Sequence, residues 1–192
     1  MEFEHETPRI LASRAQRGQT FVSRIAQAIS AVDADYDIVV MDCPPQLGFL
    51  TLSALAAATS VLITIHTQML DVLSMEQFLV MLSDLLAVVA KAAPGGHIAY
   101  DWFRYLITRH EPTDGPQSQM ARLLRQLFPD HVLQNPTLKS TAISDAGLTS
   151  QTIYEVQRNQ FTRATYDRAL ESVTAVNAEI LSLMRLSWGR AG

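Results

Sequence analysis

Cysteine is almost absent from this chain. Its 192 residues contain one, Cys43, so no intrachain disulfide can form and the disulfide scaffold of a small secreted protein is excluded. Long apolar runs are missing as well. No uncharged stretch approaches the roughly 18 residues that cross a bilayer, and residues 1 to 30 carry no apolar signal-peptide core behind a basic start. These absences predict a cytoplasmic protein with no membrane partner. Lysine occurs only at Lys91 and Lys139, and between Arg24 and Lys91 there is no Lys or Arg but there are seven acids. With a net charge of -4, any DNA contact must come from the ends or the C-terminal half. The histidines (His5, His66, His97, His110, His131) show no ligand spacing such as H-x-x-x-H, which argues against zinc.

A further absence concerns phosphate. The glycine-rich cradle G-x-x-x-x-G-K-[ST] does not occur: Lys91 in "VVAKAAP" has no glycine before it, and ahead of Lys139 in "NPTLKST" stand Leu133 and Leu138 where glycines are required. Without that loop, backbone amides cannot ring a triphosphate.

What is present suits one globular domain over residues 1 to 192, 48% hydrophobic, with an irregular charged segment at 1 to 18 and a core from 19 to 192. The spacing Phe21, Ile25, Ala28, Val32 predicts a helix. Ile38 to Met41 reads as a buried parallel strand, because four apolar residues run together without alternation. Gly48 to Thr59 is a helix candidate, Val61 to Ile65 a second strand, and Ser74 to Ala92 a long helix ended by "PGG". A third strand spans Tyr105 to Thr108, and a helix Gln117 to Phe128. Short extended pieces are expected at His131 to Leu133 and Thr141 to Ile143. The last helix, Phe161 to about Trp188, lines up Leu170, Val173, Val176, Ile180, Leu183 and Met184 as a stripe to pack on the sheet. Strand alternating with helix predicts an α/β fold, a parallel sheet flanked by helices.

Asp42 closes the first predicted strand and is followed by Pro44 and Pro45. Ligands of open α/β sheets sit beyond the carboxyl ends of the strands, so an acid there suits the Mg²⁺ side of a nucleotide site. The same pattern also serves an Asp that caps the next helix. Cys43 reads as a small buried residue rather than a nucleophile. Arg158, Arg163 and Arg168 are spaced by five, so each turns about 140° from the last and they form no single stripe. With Glu155, Asp167 and Glu171 among them, their pattern favours ordinary solvated helix charges over a DNA contact, which depends on clustered cations.

The segment "YDIVVMDCPPQLGFLTLSAL" (36 to 55) resembles the Walker B and switch II region of the ParA family of partition ATPases. "QMLDVLSMEQFL" (68 to 79), "YDWFRYLITRHEP" (100 to 112) and "LKSTAISDAGLTSQTIYEV" (138 to 156) resemble its RepA branch. That resemblance implies a deviant-Walker P-loop NTPase fold that dimerises around ATP and Mg²⁺, binds DNA non-specifically on the nucleoid, answers a ParB-like or RepB-like centromere-binding partner and represses its own operon. It implies that Asp42 holds Mg²⁺ through water, that Pro44, Pro45 and Gly48 form switch II, that Thr108 and Arg109 stand on the adenine side, and that Arg158, Arg163 and Arg168 are the DNA candidates. In such proteins the Walker A loop lies upstream of the matched region. The chain therefore reads as a C-terminal portion lacking that loop and its strand and helix, inactive as an ATPase alone. The alternatives are a non-catalytic module that joins a full-length RepA or its partner, and an unrelated α/β enzyme built on Asp42 and Cys43.

Overall fold

A computed structural model of the chain describes residues 15–44, 48–68, 72–92 and 99–189. Pro45, residues 1–14 and the "PGG" at 94–96 fall outside them. The described residues gather into two compact units, one up to Val61 and from Leu73 to Asp101, the other from Leu62 to Val72 and from Trp102 onward.

The first unit is helical. Helix α1 spans Ala15–Ser30, so it starts inside the segment expected to be irregular; Ala15, Gln16 and Arg17 are strong helix formers and carry it through Gly18. Helix α2, Phe49–Ala57, packs against α1 and buries Leu52, Ser53 and Ala54. Tyr100 donates its hydroxyl to the Leu55 carbonyl at 3.0 Å, and burial raises its pKa above the ordinary 10.0. Helix α3 covers Val72–Ala92.

Residues 38–41 correct the sequence reading. They are not a sheet strand: residues 36–44 carry no ladder, and Ile38, Val39 and Val40 are 40%, 43% and 84% exposed. An apolar run becomes a strand only when a neighbour accepts its backbone bonds, and no described strand pairs with it.

The second unit holds the sheet from Leu62 onward. Strand β1, Ser60–His66, pairs with β2, Trp102–Thr108. The two run parallel: Asp101 N–H donates to Thr59 O at 2.8 Å, and seven residues on Thr108 Oγ1 donates to Ile65 O at 3.3 Å. Residues 131–139 add a third parallel line through bridges Tyr105 to Val132 and His110 to Leu138. The extended piece at 131–133 therefore forms as expected. That at 141–143 does not, because Ser140 caps a helix there, accepting from Ala142 N–H at 3.2 Å. This helix is α5, Thr141–Leu148. Helix α4, Gly115–Leu127, precedes it, and a 3₁₀ turn at Arg158–Gln160 leads into α6, Arg163–Ser187.

The stripe on α6 divides its work. Leu170 and Val173 pack with Ala142, Ala146, Ile153, Val156 and Ala169, whereas Val176, Ile180 and Leu183 pack on Leu106, Leu133 and Leu62 of the sheet. Ile107, next to last in β2, is 0% exposed. A fully buried side chain of this kind, such as Val176, contributes roughly 1.5–3 kcal/mol. Among the described residues no helix is long and apolar enough to cross a membrane.

Candidate functional site

The carboxyl ends of β1 and β2 carry a cluster of polar groups, among them Thr67, Thr108 and His110. Past Thr108 the ladder breaks: Ile107 O accepts Thr137 N–H at 3.0 Å and Thr137 O accepts His110 N–H at 2.9 Å. Thr108 and Arg109 thus oppose a single residue, a bulge that re-aims the chain beyond it. Arg109 has φ 54°, the left-handed region that costs a non-glycine residue about 1 kcal/mol or more and that persists where the surroundings hold it. Its side chain stands at the exposed rim.

Next to the bulge lie two buried polar atoms that no described group partners, His110 Nδ1 and Thr67 Oγ1, the latter one residue beyond β1. Burial first, then the Arg125 charge, lowers the His110 pKa below the ordinary 6.5, and Asp114 opposes them. Burial and Arg125 thus favour the neutral imidazole.

A capping network fixes the loop from 109 to 114. Asp114 is the N-cap of α4 and accepts the Gln117 N–H at 3.1 Å on Oδ1 and its Nε2 at 3.0 Å on Oδ2. Gln117, 1% exposed, accepts Glu111 N–H at 3.0 Å with its other end. The Gln117 N–H bond, then the amides of Gln117 and Gln68, hold the Asp114 carboxyl below its ordinary value against some desolvation. Lys139 Nζ sits 2.6 Å from Glu111 Oε1. This network was not foreseen, although D-x-x-Q at 114 to 117 is a capping-box signal.

The sequence-predicted residues fall in several places. Thr108 and Arg109 stand together at the strand end. Asp42 and Pro44 are exposed on the unpaired segment 36–44, not at the end of a paired strand. Cys43, expected to be buried, is exposed too, its Sγ 3.8 Å from Met41 O. Gly48 is the N-cap of α2 with φ −90°, and a Cβ there would meet nothing within 4 Å. Arg158 and Arg163 are brought together by Asp167: Arg158 Nη2 lies 2.6 Å from both carboxylate oxygens and Arg163 Nε 3.7 Å from one. Asn159 and Phe161 complete a shallow hollow with these two arginines. Arg168 is exposed. Among the described residues no group of three His, Cys, Asp or Glu could hold a metal ion.

Comparison with known proteins places this geometry. The AAA domain family model matches residues 7–91. A replication protein A of Rhizobium rhizogenes is 58% identical over 190 residues, covering 99% of this chain and 46% of its own length. The chromosome partitioning protein ParA of Myxococcus xanthus is 51% identical over 45 residues, 23% of this chain and 16% of ParA. The chain belongs to the RepA/ParA family. It spans 46% of the length of the RepA relative. The fold agrees: the cobyrinic acid a,c-diamide synthase of Mycobacterium smegmatis, solved with an ATP analog and magnesium, superposes with a TM-score of 0.51 over 72% of this chain and 56% of its own, at 24% identity. The parallel sheet flanked by helices is thus the family's fold.

Proposed function

We propose that this RepA/ParA-family chain serves DNA segregation as part of a plasmid partition system, and that residues 1–192 do not hydrolyse ATP by themselves. The observation that carries the first statement is the 58% identity with a replication protein A across 190 residues. In this reading the strand-end cluster faces nucleotide, with Thr108 and Arg109 on the adenine side, Asp42 on the Mg²⁺ side through water, and Pro44, Pro45 and Gly48 as the switch segment. The partners are a ParB-like or RepB-like centromere-binding protein, a second RepA-type subunit and non-specific DNA on the nucleoid.

The second statement rests on the phosphate end. Phosphoryl transfer is almost wholly positioning and electrostatic stabilisation, and these 192 residues contain neither the cradle nor its lysine. The donor set does not fit a triphosphate, so no hydrolytic step is assigned.

Purified chain should release phosphate from MgATP at background rate with DNA and a ParB-type protein present. Turnover above background that disappears in Asp42→Ala would overturn the inactive reading. For partition itself, deleting the coding region should raise the plasmid-loss frequency; unchanged loss would sink that assignment.

The unpaired apolar segment, with Val40 84% exposed, favours a second reading as a non-catalytic module that joins a RepA-type partner. Formation of mixed dimers without nucleotide would select it.

A further inference from the structure

Glu179, about one turn past the middle of α6, directs its carboxylate to backbone that the sheet leaves unpaired. It accepts Gln134 N–H at 2.8 Å on Oε1, and on Oε2 it accepts Asn135 N–H at 3.0 Å and Asn135 Nδ2 at 2.9 Å. From the other side, Arg125 Nη2 of α4 donates to the Gln134 carbonyl at 3.0 Å. Two helices thus grip one dipeptide.

That dipeptide lies where the third line of the sheet departs from register. Leu133 N–H donates to Tyr105 O at 2.9 Å, so a regular parallel ladder would next bring Asn135 N–H to Ile107 O. Instead, Thr137 N–H makes that bond at 3.0 Å. The ladder has skipped two residues, and the amide it displaced, that of Asn135, is the one Glu179 takes. Where the segment rejoins β2 decides what stands beside the Arg109 bulge: Thr137 opposite Thr108 and Arg109, Lys139 N–H on His110 O at 3.1 Å, and Lys139 Nζ on Glu111. Slipping by the two skipped residues would carry Lys139 about 7 Å along the strand.

We propose that Glu179 is a positioning residue for the strand-end site: its grip on Gln134 and Asn135 sets the register in which residues 137–139 return to β2. The functional weight of that register rests on the strand ends being the ligand-facing end. The register itself is measured without nucleotide, DNA or partner, so either statement can fail alone.

The test uses the 192-residue chain and Glu179→Gln, whose amide cannot accept all three donors. Amide exchange is followed residue by residue, and the amines are acylated and read by peptide mass. Lys91 serves as the internal control, since the chain has no other lysine besides Lys139. The expected result is exchange faster by about tenfold or more at Thr137, His110 and Lys139, with Ala142, Ala146 and Ala169 still protected. The Lys139 to Lys91 acylation ratio should rise about two- to fivefold, as a surface ion pair is lost. Asn135→Ala, which removes only the Nδ2 bond, should show the same order at smaller size and serves if the first variant does not fold. Unchanged exchange, a rise confined to Gln134 and Asn135, or a uniform rise through the chain would each overturn the proposal.

Discussion

Gln117 and Asp114 bind each other twice: the side chain and the backbone N–H of the glutamine reach opposite oxygens of one carboxylate, at 3.0 and 3.1 Å. Because the same glutamine accepts Glu111 N–H and is buried, Gln117→Leu removes the bonds and strands a donor. Stability should fall by about 1–3 kcal/mol, read as a lower urea midpoint at unchanged slope. A midpoint equal to the parent's would show that the network adds nothing.

His110 gives the fold a pH dependence with a defined sign. Its folded pKa lies below the ordinary 6.5, so its contribution is fully present above that pH and is lost as pH falls through the window beneath it. Arg125 and Asp114 face it with opposite effects, the first pushing its pKa down and the second up. His110→Gln should therefore flatten the stability profile just below pH 6.5, while Asp114, held low by its caps, affects only more acid conditions. An unchanged profile in the variant would count against a neutral His110.

Ile107 tests the core. At 0% exposure it has no route to solvent, and Ile107→Ala should cost about 2–5 kcal/mol whereas Ile107→Val should cost about 0.5–1.5. Thermal or denaturant unfolding separates these outcomes, and equal small losses would show the site collapsing around the change.

The arginines of the C-terminal region share a counter-charge. Asp167 holds Arg158 and Arg163, so if this face meets DNA, Asp167→Asn should tighten low-salt binding and steepen its salt dependence, because phosphate contacts scale with free cations. A gel shift that does not respond to the substitution, while Arg168→Ala weakens it, would assign binding to Arg168 instead.

The sequence made most elements legible where the signal was local. Helices α1 and α6 follow from apolar spacing, α3 from a long apolar stretch ended by a turn signal, and β1 and β2 from short apolar runs. Helix α5 escaped because its 8 residues are too few to show a period; the capping serine at 140 was its one readable sign. The run 38–41 failed for the opposite reason, since strand formation depends on a neighbour that no local pattern specifies. At the site, the strand end placed Thr108 and Arg109. The grip of Glu179 on Asn135, 44 positions away, has no trace in spacing.

Arg109 places backbone comfort and side-chain chemistry in opposition. At φ 54° the residue best suited to the backbone is glycine, which visits that region freely. Arg109→Gly should therefore leave folding nearly untouched, with strain relief of about 1 kcal/mol offset by glycine's greater unfolded freedom. Whatever the guanidinium does would disappear with it. One position thus separates what the fold needs from what the protein does, and a variant that folds normally while losing its task would reveal the use to which the strain is put.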